Sequence, residues 1–129
     1  MANPVNDVNV AKLFGKNKTT RPSGTNALVD IMPEVLSNYV HKVNQIIVTN
    51  NETSTNNCDV RIAIEFNGTV RYLAYDITIP YRASLSLLDT PLYLSYDSSA
   101  GVGEKLQGAV QTPNEIDIVV SWEEISDVA

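Results

Sequence analysis

The sequence predicts an all-β domain: an antiparallel β-sandwich, jelly-roll or immunoglobulin-like, of about seven or eight strands with an extended N-terminal arm. Three observations carry this expectation. Val60, Ile62, Ile64 and Phe66 alternate with Asp59, Arg61 and Glu65, and a two-residue period with charge on one side describes a half-buried antiparallel strand. Asn67-Gly68 follows at once. Both residues tolerate the positive φ of a type I′ turn, so the chain can reverse there and pair 61–66 with 69–75. Turn signals then recur at roughly 8–12-residue spacing along most of the chain, and helix-period patterning is nearly absent.

Taken in order, residues 1–24 hold few apolar side chains. Gly15, Pro22 and Gly24 among several Asn and Thr read as extended or irregular chain, with room for one short helical turn at Val10–Phe14. Ala27–Met32 is a first strand, stopped by Pro33. Glu34–Asn38 is a turn or short helical piece, and Tyr39–Thr49 resumes β character around Ile46, Ile47 and Val48. The segment Asn50–Asn57 carries only Asn, Glu, Thr and Ser, so it has nothing to anchor in a core and belongs at an exposed end. The strand begun at Thr69 runs to Ile79, where Pro80 ends it; strands of that length tend to bulge on the way. Ser84–Leu88 alternates again, Asp89-Thr90-Pro91 turns the chain, and Leu92–Tyr96 is the next strand. Asp97–Asn114, with Gly101, Gly103, Gly108 and Pro113, reads as a long loop with a turn of helix at Glu104–Gln107. Glu115–Ile125 closes the sandwich, placing Ile116, Ile118, Val120 and Trp122 on one face, with Trp122 plugging one end of the core.

The 129 residues, 43% hydrophobic and 19% charged, suit one globular domain able to bury roughly two thirds of its unfolded surface. The expected division is an arm at 1–24 and a sandwich at 25–129. No apolar run approaches the ~20 residues that cross a bilayer, and Met1-Ala2-Asn3-Pro4 lacks the basic-then-apolar pattern of a secretory signal. The lone cysteine, Cys58, has no internal disulfide partner. A net charge of −6 argues against a nucleic-acid partner, whose binding domain would be basic. That charge is unevenly spread. Lys12, Lys16, Lys18 and Arg21 against Asp7 alone make residues 1–24 +3, which leaves −9 for the rest. A basic arm is attached to an acidic body.

The supply of reactive groups is thin. His41 is the single histidine and sits on a predicted strand, where such a residue is a packing or surface group far more often than a catalyst. A Cys58–His41 pair would lack a third group to orient it, and Cys and His are too sparse for a metal site. Glu123, Glu124, Asp127, Asp97 and Glu104 lack the Asp-x-Asp-x-Asp-Gly spacing of a calcium loop and read as solvated carboxylates. Tyr72, Tyr75, Tyr81, Tyr93 and Tyr96 invite a carbohydrate reading, set against the ordinary packing of tyrosine between strands.

In residue order, the chain also resembles small β-sandwich virion structural proteins of tailed bacteriophages, of the decoration, cement or neck and tail accessory type. The resemblance runs through Ile46-Ile47-Val48-Thr49-Asn50, Thr53-Ser54-Thr55, Asp59-Val60-Arg61-Ile62-Ala63-Ile64, Tyr72-Leu73-Ala74-Tyr75, Ile77-Thr78-Ile79-Pro80 and Ser84-Leu85-Ser86-Leu87-Leu88. It closes on Glu115-Ile116-Asp117-Ile118-Val119-Val120-Ser121-Trp122-Glu123-Glu124-Ile125-Ser126 and so covers residues 43–126. Trp122 stands where the family has tyrosine, the family's Glu-Ala-Gly-Asp-like segment is missing, the loop at Asp97–Asn114 is longer, and the basic arm falls outside the match.

What the resemblance implies is a non-enzymatic virion component without cofactor or metal, assembled in the host cytoplasm and resident in the virion. Its expected partners are the major capsid protein or neck and tail subunits, together with copies of itself in a trimer or hexamer, and neither membrane nor nucleic acid. The arm residues Val8, Val10, Lys12, Leu13, Phe14, Lys16, Lys18 and Arg21 are the candidate partner contacts. The alternative is a tail or baseplate module binding host-surface glycans through Tyr93 and Tyr96 and the glycine-containing loop.

Overall fold

A computed structural model describes residues 12–52, 55–113 and 115–126. Ten strands form among them: β1 (Lys12–Thr20), β2 (Val29–Asp30), β3 (Tyr39–Asn50), β4 (Cys58–Phe66), β5 (Thr69–Ile79), β6 (Ser84–Ser86), β7 (Leu92–Asp97), β8 (Val102–Gly103), β9 (Lys105–Val110) and β10 (Ile116–Ser126). One sheet runs β1-β10-β3-β7-β8, with β6 also on β3, and the other runs β2-β9-β4-β5. All strand pairings are antiparallel. An apolar cluster joins the two sheets, which makes the fold the β-sandwich that the alternating runs predict.

The hairpin of β4 and β5 forms as its turn residues dictate. Asn67 and Gly68 have φ of 50° and 85°, the left-handed pair of a type I′ turn, and Phe66 pairs with Thr69 directly beyond it. The long strand bulges twice, the register shifting on either side of Ile62. In the second bulge Asp76 has a φ of 53°, and its carboxylate meets Arg61 Nε at 2.7 Å. The Arg61 guanidinium also lies 4.3 Å from the centre of the Tyr75 ring, and Tyr75 meets Tyr72 edge to face at 4.9 Å.

The core is filled by the branched residues of the inward faces. Ile46 and Val48 of β3, Ile116, Ile118 and Val120 of β10, and Ile62 of β4 with Leu106 of β9 are all buried. Burial is worth about 1.5–3 kcal/mol for each such side chain. Trp122 closes one end of the cluster, 3% exposed.

The stretch read as a long loop is a correction. Residues 97–114 contain β8 and β9, and β9 lies inside its sheet between β2 and β4. Leu106, Ala109 and Val110 are buried, and no helical turn forms at Glu104–Gln107 because Lys105–Gln107 pair with Ala63–Glu65. Gly108 is glycine here for closeness: a Cβ would stand 2.8 Å from Ile118 Cδ1 of the opposite sheet. The residue that suggested a loop is the one that lets the sheets approach.

Two further expectations are narrowed. The strand at Ala27–Met32 shortens to Val29–Asp30; Ile31 and Met32 turn into the core, and Ile31 N–H still donates to Leu106 O at 2.9 Å. The helical turn expected at Val10–Phe14 does not form in its described part, where Lys12, Leu13 and Phe14 belong to β1. Val10 and the rest of residues 1–11 lie outside the described residues.

Candidate functional site

Sheet edges expose rows of unpaired N–H and C=O groups, and β10, 11 residues long, would present such an edge. β1 covers it. Nine consecutive residues pair in unbroken register, from Lys12 opposite Ser126 to Thr20 opposite Ile118. Side chains of residues 13–19 are nevertheless exposed on both faces of the strand. Leu13 is 62% and Phe14 48% exposed. β1 is therefore held by its backbone and by a few polar contacts, and brings almost nothing to the core.

Those contacts follow the register. On the inner face Phe14 lies opposite Glu124, which lies opposite His41. Glu124 is shared: Oε1 is 3.4 Å from Lys16 Nζ and Oε2 is 3.3 Å from His41 Nε2. His41 is buried against Trp122, their rings 6.0 Å apart. Burial lowers the His41 pKa below its ordinary value, outweighing the pull of Glu124 in the other direction. The imidazole is consequently neutral at pH 7, and its Nδ1 has no hydrogen-bond partner among the described residues. On the outer face Ser121 Oγ donates to Asn17 Oδ1 at 2.6 Å.

Where β1 ends, Arg21 makes two parallel bonds to Asp117, Nε to Oδ1 at 2.7 Å and Nη2 to Oδ2 at 2.8 Å. The guanidinium holds the Asp117 carboxyl below the usual carboxylate range, with help from Asn51 Nδ2, which donates to Oδ2 at 2.7 Å. Beyond this clamp Pro22 is buried and the chain crosses to the other sheet, where Thr25 bridges to Val110.

Among the candidate arm residues, Lys12, Leu13, Phe14, Lys16 and Lys18 thus share one strand and Arg21 anchors its end. Val8 and Val10 lie outside the described residues. Tyr93 and Tyr96 are not brought together: Tyr93 is 60% exposed, whereas Tyr96 points to the other face of β7 and packs against the core. Cys58 and His41 lie in opposite sheets, and the thiol sits beside Thr112. The candidate carboxylates are separately engaged. Glu123 accepts from Asn44, Asp97 from Ser99 N–H, and Glu104 from Ser95 N–H, while Asp127 lies outside the described residues. Among the described residues no three His, Cys, Asp or Glu groups come together in a way that would hold a metal ion. A cavity of about 380 Å³ opens beside the hairpin between Ile64, Phe66, Leu73 and Glu104, and Arg71, Tyr72 and Glu104 are its titratable groups.

Sequence reasoning missed Asp117 and Glu124 as partners of the arm. Their contacts depend on the β1–β10 register, which joins residues about a hundred positions apart, and no local pattern announces it.

No protein-family model matches this chain, and no curated protein matches its sequence. Among solved structures the chain is similar to the VP2 subviral particle of infectious bursal disease virus, at 10% identity and a TM-score of 0.43, covering 92% of this chain and 38% of that one. It is also similar to the Gx strain of that virus (10% identity, TM-score 0.42, 92% and 37% covered). The T=1 particles derived from the same virus give 9% identity and a TM-score of 0.41, with 92% and 36% covered. The chain spans well under half the length of each of these proteins.

Proposed function

We propose that this chain is a non-enzymatic structural protein of a tailed-bacteriophage virion, a capsid decoration or cement protein or a neck-associated subunit. It binds neighbouring virion subunits through its sandwich and its N-terminal arm, and it needs no cofactor. The observation that carries the reading is β1. Ordering a strand costs about 1–2 kcal/mol of backbone entropy per residue, yet Leu13 and Phe14 stay largely exposed. Their burial against a neighbour is worth about 1.5–3 kcal/mol for each side chain. On the face of Phe14, Lys18 suits an acidic surface. The resemblance of residues 43–126 to tailed-phage virion proteins supports the same assignment.

A glycan-binding tail module would use paired aromatic rings on one face, and the opposite orientations of Tyr93 and Tyr96 give that reading no support.

The test is removal of residues 1–20 from the protein in its virion. The truncated sandwich is expected to remain folded, because β1 contributes almost nothing to the core, and to be retained on particles several-fold less. Full retention of the truncated protein on particles would contradict the proposal.

A further inference from the structure

We infer that β1 is an exchangeable strand: the outer edge of β10 takes Lys12–Thr20 from a second copy of this chain as well as from its own. This rests on the assembly reading above and names the partner as the chain itself.

Three observations lead here. The first is that β1 is separable. Among the described residues its strand pairing is with β10 alone, its side chains from 13 to 19 are exposed on both faces, and a Cβ built at Gly15 would meet nothing within 4 Å. Lifting it away removes hydrogen bonds from one edge and leaves the core intact. The second is that the departure point is fixed. The Arg21–Asp117 clamp and the buried Pro22 hold the chain immediately after Thr20, so β1 can swing out while everything beyond residue 21 stays in place.

The third is complementarity. A vacated β10 presents nine residues of open backbone, the Glu124 carboxylate and the Ser121 hydroxyl. The strand that fits this register, bearing Lys16 opposite Trp122 and Asn17 opposite Ser121, is another β1. Charge favours the same encounter, since the +3 arm of one copy meets the −9 body of the next.

Docking in its own chain and docking in a neighbour make the same contacts. The balance is therefore set by effective concentration, on the order of millimolar for a short tether. Dilute protein keeps its own strand, and copies crowded together in a shell exchange theirs.

Separate Asn17→Cys and Ser121→Cys chains test this, because the two positions face each other and neither substitution touches the core. The chains are mixed at concentrations rising toward the millimolar range and oxidised, and the 17–121 disulfide is sought by peptide mapping. A mixture of Asn17→Cys with Ser98→Cys, a cysteine in an exposed turn off this register, measures random collision. Exchange predicts a 17–121 linked heterodimer that increases with concentration, in several-fold excess over the 17–98 link. Equal yields of the two links, or monomers throughout, would overturn it. If the heterodimer fails while truncation of 1–20 still strips the protein from particles, the arm docks on a different subunit and only the exchange is lost. If truncation leaves retention unchanged, the assembly reading fails whatever the disulfide shows.

Discussion

Arg21 and Asp117 stand 96 positions apart in sequence and are joined by two parallel hydrogen bonds of 2.7 and 2.8 Å. The pair sits where the chain leaves one sheet for the other, so it decides where the arm strand stops and the body starts. Half-exposed ion pairs contribute little to global stability because solvent screens them. Arg21→Ala is accordingly expected to leave the global denaturation midpoint nearly unchanged. Its larger effect is local: amide hydrogen exchange across residues 12–20 should accelerate several-fold, while exchange in β3 and β10's inner edge stays unchanged. Equal acceleration in both places would mean that the clamp supports the whole sandwich.

Stability should fall with acid in two windows. The folded-state pKa of His41 is lowered mainly by burial, so the unfolded chain takes up a proton first. Its contribution is complete above the ordinary value of 6.5 and is lost as pH falls from there toward the folded value. The groups facing the ring are Glu124, which opposes this shift, and Lys16, which adds to it. Asp117 is depressed by Arg21, so its contribution is present above 3.8 and is lost as pH falls through its folded value. Melting temperature against pH, compared between the wild type and His41→Gln, separates the two: the variant should lose the slope below 6.5 and keep the one at lower pH.

Gly103 and Gly108 should answer differently to alanine. At Gly103 a Cβ would overlap Val35 O and lie 2.7 Å from Val35 C, both backbone atoms that cannot move alone. At Gly108 the nearest atom is the end of a side chain, Ile118 Cδ1 at 2.8 Å. Gly108→Ala is expected to cost about 1–3 kcal/mol through overpacking, and Gly103→Ala clearly more, read from urea midpoints at constant m-value.

Leu106→Ala tests whether β9 is core. A fully buried leucine in a packed sheet should cost about 2–5 kcal/mol on truncation, whereas a loop residue would cost less than about 0.5 kcal/mol. Equilibrium denaturation distinguishes these outcomes directly.

The sandwich was readable wherever one face of a strand is wet. Val60 to Phe66 alternates because the β4 outer face carries Arg61 and Glu65, and Asn67-Gly68 marks its turn without help from the rest of the chain. β9 was not readable. It is short, buried at four of its six positions, and carries a glycine whose purpose lies in the opposite sheet at Ile118. The arm was legible as composition, basic and sparsely apolar, but its docking was not, because β1 pairs with the far end of the chain. Tyr93 and Tyr96 illustrate the limit from the other side. Three residues apart on a strand, they fall on opposite faces, and alternation alone excludes a shared platform.

The central claim is that Leu13 and Phe14 serve contacts outside the isolated chain. The most direct measurement compares Leu13→Ser/Phe14→Ser with the wild type in two readouts, denaturation of the purified protein and its copy number on virions. The account predicts a stability change within about 0.5 kcal/mol, as for exposed positions, together with a several-fold fall in copy number. Unchanged copy number, or a stability loss of several kcal/mol, would contradict it.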